Sequence, residues 1–265
     1  MQIEIVTLSR QGGRPYNEDV FGHWHDDRYV ACLVSDGAGG HGGGDVAAAT
    51  ARSSILAGYA AHPSLEPKAL QQLLEQANLD IVARQAEGGT LAAMRATIVF
   101  AAIDCERHHL VWTHSGDSRA YLYRNASLVA RTTDHSLVQQ MVSSGMLSEE
   151  GARLHPQRNM LLSALGSVDE PPEISISDRM MVQPGDAVLL CSDGVWEPLG
   201  DGYLQETLMA CRTPSQWVAE IDRQVQAKAK PGHDNYTALV VWLRADDDEG
   251  ITLLMEPISR QNGRS

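Results

Sequence analysis

Apolar residues fall in short blocks along most of this chain, and only a few stretches carry the three-to-four-residue spacing of a helix. The blocks 2-QIEIVTLS-9, 19-DVFGHWH-25 and 28-RYVACLVSD-36 predict three opening strands. Two helical stretches follow, 45–61, rich in Ala, and 66–87, with apolar residues at helical spacing; Ser64 and Pro67 mark the start of the second. Strands return at 96–104, 109–116, 119–124 and 127–132, with 124-RNAS-127 as a hairpin bend. A shorter helix is expected over 135–145, closed by a glycine, then a strand over 186–193, helices near 201–211 and 214–229, and a last strand over 236–243. Strand blocks at both ends of the chain, each followed by a pair of helices, predict an α+β fold of two sheets covered by helices.

The least regular part is 146–177, with Pro156, Pro171 and Pro172, which reads either as a flap over a site or as a surface loop. The end, 244–265, is charged at first and weakly patterned, and is expected to be a tail, docked if at all through 251-ITLL-254. No repeat or linker interrupts the rest, so 1–243 is read as a single domain.

Composition narrows the function classes. With 34 acidic residues against 21 basic, the net charge is −13, which disfavours nucleic acid or an anionic membrane as a partner. The acidity is either ordinary solubility or a sign of carboxylates gathered to hold cations. The four cysteines form no Cys-x-x-Cys pair, and three of them lie in apolar runs, so neither a zinc site nor a disulfide framework is expected. No apolar run approaches the ~18 residues of a membrane span, and the expected compartment is a reducing cytoplasm.

The chemistry sits in turns. Asp36 closes an apolar block and is followed by six glycines in eight residues. So many glycines suit a backbone that must bend tightly or come close to something. Asp19, Asp117, Asp193 and Asp234 share that setting, and Ser-Asp-Gly occurs at both Asp36 and Asp193. Taken singly, each Asp is a turn residue or a helix cap. Brought together, such carboxylates repel one another and their pKa values rise unless cations neutralise them. An oxygen-only set suits Mg²⁺ or Mn²⁺, and paired ions of this kind activate water for phosphoester hydrolysis.

Arg14-x-x-Asn17-Glu18-Asp19, Asp36-Gly37-x-Gly39-Gly40-His41, Gly116-Asp117-Ser118-Arg119-Ala120-Tyr121, Ser192-Asp193-Gly194 and Asp234-Asn235 stand in an order that resembles the metal-dependent Ser/Thr protein phosphatases of the 2C type, especially the compact bacterial members. The resemblance runs from about residue 9 to 243. It implies two antiparallel sheets packed face to face between helices, and Mn²⁺ or Mg²⁺ as two to three bound ions. It further implies that Asp36, with the Gly37 carbonyl, bridges two ions, with Asp193 and Asp234 completing the first and Glu18 serving the second. Asp19 would hold metal-bound water, Asp117 with Asp193 a third ion, and Arg14 the substrate phosphate. His41 would either protonate the leaving group or help orient substrate, or else only hydrogen-bond within its glycine loop. Asn235 would support the ligands from behind. His155 and Arg158 fall in the implied substrate flap. His135, His233 and Arg119 read as structural.

The implied substrates are phosphoserine and phosphothreonine proteins, opposite a Ser/Thr kinase, with the chain acting as a monomer. Three rivals are an inactive binding module, a regulator of the sporulation-phosphatase kind that dephosphorylates an anti-sigma antagonist, and a metal-dependent phosphodiesterase or nuclease; the last is disfavoured by the acidity.

Overall fold

The computed structural model describes residues 1–38 and 42–245, together with the backbone of 255–257. In chain order its strands and helices are β1 (Gln2–Arg10), β2 (Asp19–His25), β3 (Tyr29–Ala38), α1 (Gly44–Ala61), α2 (Pro67–Gln85), β4 (Arg95–Ala96), β5 (Ile98–Asp104), β6 (His109–Ser115), β7 (Arg119–Arg124) and β8 (Ser127–Arg131). They continue with α3 (Leu137–Ser143), α4 (Glu149–Leu154), β9 (Ser175–Ile176), β10 (Met180–Met181), β11 (Asp186–Cys191), α5 (Asp193–Leu199), α6 (Asp201–Ala210), α7 (Pro214–Lys228), β12 (Tyr236–Arg244) and β13 (Met255–Pro257).

One sheet runs β13-β1-β12-β11-β7-β8 and the other β10-β6-β5-β3-β2, with β4 beside β3 and β9 beside β6. Every pairing is antiparallel except β13 with β1. The expected two-sheet α+β sandwich is what the chain forms.

The central strands explain why their sequences read as unbroken apolar runs rather than as alternation. In β5, Ile98, Phe100 and Ala102 face the layer of α1 and α2, while Val99, Ala101 and Ile103 face the opposite sheet. In β11, Val188 and Leu190 face the inter-sheet core, while Ala187 and Leu189 pack under α7. An antiparallel sheet often leaves one face wet. Here both faces of both sheets are covered, so three apolar layers stack across the molecule.

Helix α7 shows how local sequence aims one of these faces. Thr213 caps it by accepting the Gln216 N–H, Pro214 occupies the first turn, and Trp217, Val218, Ile221 and Val225 fall on one buried stripe. Trp217 meets Tyr123 edge-on at 5.6 Å and donates to Thr207 Oγ1 at 3.1 Å.

Four expectations need correction. The strand predicted over 186–193 stops at Cys191; Ser192 then precedes a helix that opens at Asp193. The irregular stretch 146–177 contains α4, capped by Ser148, and β9 on the edge of β6. The second helix takes Glu66 as its cap, with Ser64 accepting the Glu66 N–H just upstream. Part of the predicted tail, Met255–Pro257, pairs with β1 and covers its open edge; 251–254 lies outside the described residues. Among the described residues no helix is long and apolar enough to cross a membrane.

Truncating the largest buried side chain of the α7 layer, Trp217→Ala, is expected to lower the unfolding free energy by about 3–5 kcal/mol. The shift of the urea midpoint at unchanged m value measures it.

Candidate active site

Strand register brings the aspartates to one end of the sandwich. On the second sheet Asp19, opening β2, lies directly opposite Asp36 near the end of β3. On the first sheet β1 and β11 finish where β12 begins, at Arg10 opposite Tyr236 and Cys191 opposite Ala238. Asp193 and Asp234 therefore flank the same end. Asp117 lies in the crossing from β6 of the second sheet to β7 of the first.

Hydrogen bonds fasten the sheets together at this seam. Ser192 Oγ donates to Asp19 Oδ2 at 2.6 Å and accepts the Thr237 N–H at 3.0 Å. Thr97 Oγ1 accepts the Asp36 N–H at 3.1 Å and meets Ser118 Oγ at 2.7 Å. Asn235, 4% exposed, joins three segments: its Oδ1 accepts the Glu18 N–H, and its Nδ2 donates to the carbonyls of Gln11 and Tyr16. It thus holds 11–18 against the start of β12 without presenting an oxygen to the carboxylates.

Close backbone approach accounts for two of the glycines. A methyl group on Gly37 would strike the Gly44 carbonyl, and one on Gly44 would strike Glu18 Oε1. The turn after Asp36 is thereby pressed against the first turn of α1, beside Glu18.

The electrostatics are those of acids crowded out of water. Burial raises Asp19 to about 6 and Asp117 to about 7. Asp36 rises first through burial and then through Asp19 and Asp193, and Asp193 through burial and then Asp117 and Asp234. Glu18 rises through burial and through Asp45. Glu18 Oε1, Asp19 Oδ1 and Asp193 Oδ1 are buried with no hydrogen-bond partner. An unpaired buried carboxylate oxygen is costly. Hard divalent cations are the ligands that oxygen-only donors accept best, so the donor set fits Mg²⁺ or Mn²⁺. No three of these groups stand preassembled as a coordination shell among the described residues. Asp234 instead pairs with Arg14, Nη2 to Oδ2 at 2.7 Å.

Two cavities open beside the cluster. One, of about 830 Å³, has Arg14, Gly194 and Asp234 in its wall; a second, of about 220 Å³, has Asp117 and Asp193. Arg158 borders both and pairs with Glu197. His155 lines neither and caps the end of α4. His41 lies outside the described residues. His135 packs on His114 at 4.5 Å and donates its backbone N–H to the Gly116 carbonyl, steadying the Asp117 turn; Ser136 is the helix cap in its place.

Arg119 is structural, as expected, but its network is larger than the sequence signalled. It grips Asp134 with two bonds of 2.8 and 2.7 Å and lies 3.5 Å over the Trp196 ring. Trp196 in turn donates to the Asp117 carbonyl at 2.9 Å. Trp196 and Asp134 carried no motif signal, since an indole and a lone Asp at such positions read as core and turn.

The raised aspartates fix the sign of a pH effect. Between the ordinary carboxylate value and the folded values near 6 and 7, the folded protein binds more protons than the unfolded chain. Their contribution to stability is complete below the unfolded pKa and is lost as pH rises through the folded values. Metal-free protein is therefore expected to melt at a higher temperature at pH 5 than at pH 7.5, and saturating Mn²⁺ is expected to flatten that dependence. Scanning calorimetry across this range with and without the ion measures both.

The protein phosphatase 2C family profile matches residues 9–244. The serine/threonine phosphatase stp of Listeria monocytogenes is 34% identical over 86% of this chain and 90% of its own length. The solved serine/threonine phosphatase Stp1 of Staphylococcus aureus shares the fold, with a TM-score of 0.82 at 24% identity over 92% of this chain and 96% of that one. A solved catalytic domain of the serine/threonine protein phosphatase PstP, in complex with two manganese ions, superposes with a TM-score of 0.75 at 26% identity over 92% of this chain and 99% of that one. Carboxylates crowded at the seam of a two-sheet sandwich, in a chain matched over almost its full length, place this protein in the protein phosphatase 2C family.

Proposed function

We propose that this chain is a metal-dependent protein serine/threonine phosphatase that removes phosphate from phosphoserine and phosphothreonine side chains, opposing a Ser/Thr kinase as a cytoplasmic monomer. The observation that carries the reading is the set of buried carboxylate oxygens left without partners at the seam, with an arginine at its edge. In this reading 1–243 is the catalytic unit and 146–177 its flap.

Asp36, with the Gly37 carbonyl, would serve a first and a second ion, with Asp193 and Asp234 completing the set for the first and Glu18 that for the second; Asp117 with Asp193 would hold a third. Bound Mn²⁺ or Mg²⁺ would supply a water acidic enough at neutral pH to attack phosphorus. The protein's own groups do the rest. Asp19 is fixed through Oδ2 by Ser192, which leaves Oδ1 to accept a hydrogen bond from water. Arg14, once parted from Asp234, presents a planar fork to two phosphoryl oxygens and stabilises the charge that grows there. Asn235 keeps Glu18 in place through its backbone. His41 is the candidate donor of a proton to the departing Ser or Thr oxygen. Neither His135 nor His233 takes part: His135 holds the Gly116 turn, and His233 Nδ1 lies 3.1 Å from the Lys230 carbonyl.

Hydrolysis of a phosphothreonine peptide with Mn²⁺, with EDTA, and by Asp193→Asn with Mn²⁺ tests this. Chelation is expected to abolish turnover, and the isosteric substitution to lower kcat more than about 100-fold. Titration calorimetry with Mn²⁺ is expected to show weaker binding to the variant. Turnover that survives both EDTA and Asp193→Asn would refute the reading.

A further inference from the structure

Lysine is rare here: the chain has three, Lys68, Lys228 and Lys230. Lys68 lies on α2, over the far sheet. The other two, both exposed, stand at the end of α7 and just beyond it, in the wall of the 830 Å³ groove that closes on Arg14 and Asp234. Arg153 and Arg158 face them from the flap side of the same groove. A protein of net charge −13 has thus placed two of its three lysines and three arginines around one opening.

The acids in that wall do not cancel this. Arg158 pairs with Glu197 and Arg14 with Asp234, which leaves Arg153, Lys228 and Lys230 against Glu150. Lys228 is held in place, its ammonium 4.5 Å over the Tyr203 ring and donating to the Pro198 carbonyl at 3.1 Å. An ammonium has three N–H bonds, so two remain for a ligand. The Lys230 carbonyl accepts from the His233 N–H, which anchors the loop, and the residue itself is exposed. The volume is far more than one phosphoryl group needs and is of the size that takes several residues of an extended segment.

Resting on the phosphatase reading of the carboxylate site, we infer that this groove binds the acidic flank of the phosphoprotein substrate, with Lys228 and Lys230 pairing with Asp or Glu residues a few positions from the phosphoresidue. The lysines then set specificity, while the chemistry stays with the carboxylates. Exposed cation–carboxylate pairs are individually weak and screened by salt, so the effect is a preference among phosphosites rather than an absolute requirement.

The test uses labelled peptides in which a non-hydrolysable phosphonate replaces phosphothreonine, flanked by Asp, Ser or Lys, bound to Mn²⁺-loaded protein and read by fluorescence anisotropy. Wild type is expected to bind the Asp-flanked peptide about 3- to 20-fold tighter than the Ser-flanked one. The Lys228→Gln/Lys230→Gln double variant should bring that ratio close to one. Lys230→Glu, at a side chain whose ammonium supports no other part of the fold, should favour the Lys-flanked peptide. Raising salt should shrink the wild-type contrast. Wild type binding all three peptides alike, or a ranking that persists in both variants, would overturn the inference. Turnover of p-nitrophenyl phosphate by the wild type judges the phosphatase reading separately, since so small a substrate carries no flank.

Discussion

Carboxylates taken out of water beside one another are the constraint around which this fold is arranged. Burial raises the pKa values of Asp19, Asp36, Asp117 and Asp193, and neighbouring carboxylates raise Asp36 and Asp193 further. They stay together because each is attached to something that does not move. Asp19 and Asp36 are locked in register across β2 and β3. Asp117 spans the two sheets between β6 and β7, whose spacing is set by the inter-sheet core of Val34, Val99, Leu122, Leu190 and Leu239. The core supplies the stability that the site spends, and that division of labour separates a catalytic end from a well-packed body.

The same protein shows what satisfied buried acids look like. Asp104 receives Arg28, Asp134 receives Arg119 with two bonds, and Asp186, fully buried, receives Arg124 with two more. Each is an acid whose partner is supplied by the chain. Asp19 and Asp193 have buried oxygens with no hydrogen-bond partner from the chain. A sequence that pairs its structural aspartates this consistently leaves others unpaired at one location because the missing partner comes from outside. That contrast sorts the acids more sharply than burial alone.

Much of this was legible in the sequence. Short apolar runs separated by Asp, Gly and Asn marked the strands, and the repeated Ser-Asp-Gly setting marked aspartates that the fold gathers at one end, because strand ends and glycine contacts are local properties. What escaped were features decided by distant partners. Asp193 reads as a strand end until Gly194 is seen pressed against the Asn235 carbonyl, where a methyl group has no room and the chain turns into α5. Met255–Pro257 has no strand pattern of its own; its pairing with β1 is dictated by an open edge some two hundred and fifty residues earlier in the chain. His155 and Arg158 are three residues apart, yet one caps a helix and the other borders both cavities, because the chain turns between them. No periodicity separates the two roles.

Charge also orders the site from floor to rim. The floor is acidic and can accept a phosphate monoester, itself an anion, only when cations stand between them. Arg14 alone balances little of that charge, and in this arrangement it is engaged by Asp234. The rim, by contrast, carries lysines and arginines on an otherwise acidic protein. A substrate segment bearing carboxylates beside its phosphate would meet a net charge of −13 on the protein as a whole and cationic side chains at this opening. The acidic floor bars an anion that arrives without the metal, while in the inferred role of the groove its cationic rim draws negative charge past Lys228 and Lys230 toward Arg14.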